Sequence, residues 1–400
     1  MRLLDVKTSL RPEGIRLTGI IEKQNRERFE LYFDLQVPRP METTAAADAF
    51  AAAMLIPAMH SGESLEIDLP LSPQLCFRLP RIRDIFHAWF PEFSRVDIRT
   101  MPRTTGEGMP ELYAGTFFSG GVDSFYSLLK HKHGFGTLPA PLTHIIFMRG
   151  IETRLEESKD VDKAEQWVRQ VAAAAGVQYI FGESNIRMCF QAVGSGIRWA
   201  DHYYGSSLAA IALALSSTLG YVCIPSSYSY THLIAHGSTP LLDEMYSTER
   251  THVIHDGSEV TRPVKVAKIL EWDRDLILAH LRVCHLNWGG AFNCGKCYKC
   301  VRTAIPLRVL GVLEQARTFP NKSMDHWERT ILQDRPALTE ENLHFARKYG
   351  GDASLIAMLE RVVRKQRRGA GLRLFLENSP FHALLPALVR ARHAFHRVPR

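Results

Sequence analysis

Two stretches of this chain carry side chains whose types and spacing can do chemistry. The first is Ser119-Gly120-Gly121-Val122-Asp123-Ser124, directly after the apolar run ELYAGTFF. A strand that turns straight into a helix leaves the first helical N–H groups without partners. Those groups and the helix dipole favour an anion. Gly120 and Gly121 carry no Cβ, so the backbone there can approach a phosphate closely and adopt a positive φ. Ser119 and Ser124 add hydroxyl donors. Asp123 would repel a bare phosphate but can hold a Mg²⁺ bound to one. The cluster reads as a nucleotide-phosphate site; the plainer alternative is a strand-to-helix turn capped by serine.

The second stretch is Cys294-Gly-Lys-Cys297-Tyr-Lys-Cys300, with Cys284 ten residues before it. Four thiolates in one tight loop are what tetrahedral Zn²⁺ requires, and Gly295 permits the sharp turn between the first two. Lys296 and Lys299 would offset part of the thiolate charge. An iron–sulfur cluster competes, since it also takes cysteine thiolates. The compact grouping, with no further CxxC elsewhere, favours zinc in a structural role, all four positions being filled by protein.

These residues must be held by elements. YAGTFF reads as a short buried strand, DSFYSLLKHK as a helix and LTHIIFM as a strand. VDKAEQWVRQVAAAAG then reads as a helix closed by Gly176, VQYIF as a strand, SSLAAIALALSSTLG as a helix closed by Gly220, and YVCIP as a strand. Alternation of this kind predicts an α/β fold with a doubly wound parallel sheet, which binds ligands at the carboxyl ends of its strands. Before it, IRLTGII, RFELYFDLQV and SLEIDLPL read as strands, and Ala45–Met59 and RIRDIFHAWF as helices. We therefore expect an accessory α+β domain over 1–108 and a domain carrying the nucleotide-phosphate loop over 109–283. A four-cysteine zinc segment with a helix follows over 284–330, and a helical basic tail over 331–400.

Composition narrows the class. With 46% hydrophobic and 23% charged residues the chain is an ordinary globular protein. The start, MRLLDVKTSLRPEG, does not read as a secretory signal, no run reads as a membrane span, and the seven cysteines argue against a disulfide scaffold. A cytoplasmic address without membrane contact is expected. The net charge of +7 is concentrated at the end, where residues 361–400 carry +9 and leave −2 for the rest. Such a tail reads first as a solvated helical face, and second as a contact for RNA or an acidic partner.

SGGVDS after a strand resembles the pyrophosphate loop of the PP-loop ATP pyrophosphatases, whose members cleave ATP between the α and β phosphates. Together with Cys284 and CGKCYKC, it is similar to the 7-cyano-7-deazaguanine synthase-like branch, over roughly Ala114–Thr303. The resemblance implies that Ser119, Gly120, Gly121, Asp123 and Ser124 hold the phosphate end of Mg-ATP. It places Phe147 and Met148 near the adenine and zinc on Cys284, Cys294, Cys297 and Cys300. It also implies adenylation of a carboxylate or amide of a 7-deazaguanine-type substrate, small or protein-borne, with Asp123, Ser124, Arg262 and Lys265 in catalysis. A nitrogen nucleophile would then give an amide, nitrile or conjugate. Extended relatives of that branch accompany bacterial defence genes. The polar segment between the last strand and the cysteines, with His236, Ser238, Thr239, Asp243, Glu244, His255, Asp256, Arg262 and Lys265, offers groups for a substrate, as do His202 and Tyr203. Two alternatives stay open: a tRNA thiolase of the same superfamily, for which Cys189 is the one cysteine near a predicted sheet edge, and a non-catalytic nucleotide sensor with protein partners on the N-terminal region and tail.

Overall fold

The computed structural model describes residues 1–37, 43–104, 113–151, 155, 158–191, 196–284, 292–320 and 322–377. Residues 378–400 of the expected tail, the expected boundary at 108 and the Cys189 side chain lie outside the described residues. The fold is α/β. The described residues fall into two compact units: residues 1–283 with Phe292, and Cys284 with the chain from Asn293 on.

The first unit is built on one ten-stranded, mostly parallel sheet. Its strands are β1 (Arg2–Arg11), β2 (Gly14–Glu22), β3 (Arg28–Leu35), β4 (Leu65–Leu71), β5 (Ile98–Pro102), β6 (Ala114–Phe117), β7 (Leu142–Arg149), β8 (Gln178–Ser184), β9 (Tyr221–Pro225) and β10 (His252–Asp256). Their order across the sheet is β10-β9-β6-β7-β8-β3-β2-β1-β4-β5. In β2 the buried residues Ile15, Leu17, Gly19 and Ile21 alternate with half-exposed ones, as a sheet with one covered face requires. In β6 every residue is buried, the mark of a strand covered on both faces. From β6 the chain runs outward to β7 and β8, then returns to the other flank of β6 for β9 and β10. The direction of winding therefore reverses between β6 and β9, the kind of point at which open α/β sheets bind ligands.

The helices of this unit are α1 (Thr43–Ser61), α2 (Pro73–Trp89), α3 (Val122–Lys132), α4 (Ser158–Ala175), α5 (Ile186–Gln191), α6 (Tyr204–Ala214), α7 (Arg262–Trp272) and α8 (Arg274–His280). Successive strand residues point to opposite faces. On β10, Asp256 meets Lys130 and His131 of α3, while His255 meets Asp243 in the 3₁₀ turn Asp243–Tyr246, which packs on α6. The α3/α7 pair and the α6/α1 pair thus cover opposite faces of the sheet.

The expected accessory domain over 1–108 is not set apart. β3 pairs antiparallel with β8, Phe33 opposite Ser184 and Leu35 opposite Gly182, so the early strands extend the same sheet. From Ala45 to Met59 every residue of α1 is buried. A helix apolar all round needs cover on several sides, and α1 finds it on α6, α2, β1 and β4. Two further readings change. α6 ends at Ala214 rather than running to Gly220, and the polar segment before the cysteines contains β10 and α7.

The second unit is helical, with α9 (Tyr298–Val309), α10 (Trp327–Ile331), α11 (Pro336–Lys348) and α12 (Ala353–Glu377). α11 and α10 each pack on α9 and on α12, around the fully buried Trp327. A buried Arg302–Asp334 pair at 3.1 Å ties α9 to the turn before α11. Arg361 and Lys365 reach Glu328 at 3.0 and 2.7 Å, and Arg367 reaches Glu340 at 2.9 Å. These cations lie on an exposed, ion-paired helix face. Among the described residues no helix is long and apolar enough to cross a membrane.

Candidate functional site

Ser119, Gly120 and Gly121 form the link between β6 and α3, at the reversal point of the sheet. Gly120 takes φ 77°, and a Cβ built there would fall 2.0 Å from the indole of Trp167 on α4. Glycine is required at that position for both reasons. Gly121 is the N-cap residue of α3 and has no side chain with which to cap the helix. Arg282 braces the loop from behind, its backbone N–H donating to the Gly120 carbonyl at 2.8 Å and its guanidinium to the Ser119 carbonyl at 3.0 Å.

The structure brings together three of the four residues expected in catalysis. Asp123, in the first turn of α3, pairs with Arg262 and, at 3.1 Å, with Lys265. Arg262 and Lys265 are one turn apart at the start of α7, so one helix aims both cations at one carboxylate. Lys265 is fully buried, and its ammonium donates to the Ser226 carbonyl at 2.7 Å and to Ser226 Oγ at 2.9 Å. Burial pushes its pKa down, and Asp123 opposes that shift. Ser124 behaves differently. Its hydroxyl donates back to the Gly121 carbonyl at 3.0 Å and so stiffens the loop.

Phe147 and Met148 are buried at the end of β7, beside β6. Being consecutive in a strand they point to opposite faces, so only one of them can line a given cleft. His202 and Tyr203 lie far into the core. Tyr203 donates to the Ala53 carbonyl at 2.7 Å, and the His202 ring sits among Phe86, Phe90 and Phe93. Asp243 accepts from Ser238 Oγ at 2.7 Å and contacts His255 Nδ1 at 2.7 Å, on the face away from α3. A cleft of about 490 Å³ lies at the first residues of β9 and β10, lined by Arg78, Tyr221, Leu241, Met245, His252 and Ile254. It does not include Asp123.

Three contributors were not singled out from the sequence. Ser226 follows β9 and receives Lys265. Gly257, at φ 95°, follows β10, and a Cβ there would stand 3.3 Å from Lys265 Nζ. Arg282 holds the loop. An Asp-Gly pair after a β-branched run signals a strand end, and Asp256-Gly257 was visible as such; nothing local marked Arg282.

The four cysteines converge in the second unit. Their sulfurs lie within 4.8 Å of one another, with Cys284–Cys297 at 3.9 Å, Cys294–Cys300 at 3.9 Å and Cys297–Cys300 at 3.5 Å. Four sulfurs at zinc–thiolate distance would be about 3.8 Å apart. Gly295 takes φ 68°, and the N–H groups of Lys296 and Cys297 point at Cys294 Sγ at 3.4 and 3.3 Å. Cys297 caps α9 and Cys300 lies in its first turn. Contact with Cys284 is the first cause pushing up the pKa of both Cys297, to about 12, and Cys300. Sulfurs this close cannot all ionise without a cation, so the donor set fits a metal such as zinc. Comparison of the chain with protein-family profiles, with characterised proteins and with solved structures returned no match.

Proposed function

We propose that the chain binds Mg-ATP at the Ser119–Ser124 loop and adenylates a carboxylate or amide oxygen of a 7-deazaguanine-type substrate. The carrying observation is the placement of an uncapped helix N-terminus, a glycine loop and the Asp123–Arg262–Lys265 cluster at the reversal point of the sheet. Ser119, Gly120 and Gly121 would hold the phosphates through backbone N–H groups. Asp123 would hold Mg²⁺, which when bound supplies charge neutralisation on the phosphate oxygens. Arg262 and Lys265 would stabilise the charge that grows on the leaving pyrophosphate. The substrate oxygen forms a bond to the α-phosphorus as the bond to the bridging oxygen breaks and pyrophosphate departs. A nitrogen nucleophile then attacks the adenylated carbon and expels AMP. Zinc on the four cysteines would be structural, since no position remains for substrate.

The thiolase reading draws less support. It needs an activated thiol; burial pushes Cys223 well up and Cys76 up, and the Cys189 side chain lies outside the described residues.

The test is pyrophosphate release from ATP with deazapurine carboxylates, amides and protein partners as acceptors. Asp123→Asn is expected to lower acceptor-dependent release at least about a hundredfold, the usual scale for a lost charge stabiliser. Wild-type turnover in that variant would remove Asp123 from the mechanism. Tight ATP binding with no release under any acceptor would instead favour a nucleotide sensor.

A further inference from the structure

A second group of metal-binding side chains lies under α3, apart from the four cysteines. His131 is in the last turn of α3, Cys223 is the middle residue of β9 and Asp256 ends β10. Their donor atoms all lie within 4.8 Å of one another. His131 Nε2 stands 3.2 Å from Asp256 Oδ2 and 3.9 Å from Cys223 Sγ. Nitrogen, oxygen and sulfur around a tetrahedral zinc ion would be about 3.3–3.7 Å apart, so the three donors need little movement to close on one ion.

The fold fixes these positions independently of one another. β9 and β10 pair in parallel with Ile254 opposite Cys223 and Asp256 opposite Pro225. That register puts Cys223 and Asp256 on the same face of the sheet, under α3. Gly136 makes room for the third ligand, because a Cβ there would fall 1.8 Å from His131 Nδ1. The two oxygens of Asp256 are used differently. Oδ1 accepts from Lys130 Nζ at 2.8 Å, whereas Oδ2 is buried and stands 3.2 Å from the His131 imidazole nitrogen.

We propose that His131, Cys223 and Asp256 bind a second divalent ion of the zinc class, with the fourth position left to water or an exogenous ligand. The donor set is one nitrogen, one thiolate and one carboxylate oxygen. That mixture suits Zn²⁺ and is poor for Mg²⁺ or Ca²⁺, which take oxygen. Charge also balances. Zn²⁺ meets one thiolate and one carboxylate, and Lys130 faces Glu259 at 2.8 Å as a second neutral pair. The Lys130–Asp256 bond then orients a ligating carboxylate from behind. On binding, the metal displaces the Cys223 thiol proton, which leaves to solvent.

The experiment is metal analysis of the full chain after equilibration with excess zinc and desalting. Wild type is expected to hold about two zinc equivalents, and Cys223→Ser, Asp256→Asn and Cys300→Ser about one each. Far-UV circular dichroism checks that Cys223→Ser and Asp256→Asn are folded, while Cys300→Ser reports the zinc kept by the first unit. One equivalent in wild type overturns the proposal, as does retention of both equivalents by folded Cys223→Ser and Asp256→Asn. If those two variants fail to fold, the wild-type count alone decides.

Discussion

Single residues in this protein are constrained by what stands immediately behind them. Gly120 combines a left-handed backbone with an indole where its Cβ would be. Gly120→Ala is expected to destabilise the first unit by about 2–4 kcal/mol, from strain plus overpacking. Denaturant melts would read the loss, and a change under about 0.5 kcal/mol would mean that the loop can shift aside. His202 gives a second residue-level test. Burial among the three phenylalanines, with Arg198 adding, pushes its pKa down to about 4. Below about pH 6.5 the unfolded chain takes up a proton that the folded chain refuses until about pH 4. Its contribution to stability is therefore lost as pH falls through that window. His202→Leu should flatten the dependence of Tm on pH between 6.5 and 4. An unchanged slope would show that other groups control it.

At the level of elements, the sequence exposed what was local and hid what was distant. The β6–α3 loop was legible because glycine, serine and aspartate cluster after an apolar strand. The four cysteines were legible because their spacing is itself the ligand geometry. β10 was obscured because its residues, His252 to Asp256, are mixed in polarity at a sheet edge, where alternation is weak. The joining of the early strands to β8 was invisible locally. The signal for it was α1, buried on every side with Asp48 its one charged residue from Ala45 to Met59, which a small separate domain could not have covered. The α9 start is tied to the cysteines in turn, since Cys297 is its N-cap residue and Cys300 lies in its first turn. Cys300→Ser is expected to remove the folding contribution of a metal held there, on the order of 10 kcal/mol in small zinc modules. Far-UV signal from the second unit should fall while the first unit's thermal transition stays. Loss of both transitions together, or of neither, would refute that division.

On the scale of the whole molecule, the ten-stranded sheet makes residues 1–104 part of the framework that carries the loop. β8 has β3 as its outer neighbour and α6 has α1 as its cover. A fragment of residues 113–283 is therefore expected to expose a sheet edge and the buried face of α6, and to aggregate. A fragment of residues 1–283 should remain monomeric. Size-exclusion chromatography with a dye for exposed apolar surface separates the cases, and a monomeric 113–283 fragment with a sharp melt would show that the early strands are dispensable.

The pairing of β3 with β8 also sets a timetable for biosynthesis. Tyr32 donates to Glu183, 151 positions later in the chain. At about 5–20 residues per second, roughly 8–30 s separate the emergence of the two strands from the ribosome. Throughout that interval β1–β3 can form a meander, but its outer edge has no partner and α1 has no α6 to lie against. The nascent chain thus passes through a stage that is adhesive for reasons the finished protein no longer displays. That edge stays open until β8 emerges, before the Ser119–Ser124 loop has its full sheet to stand on.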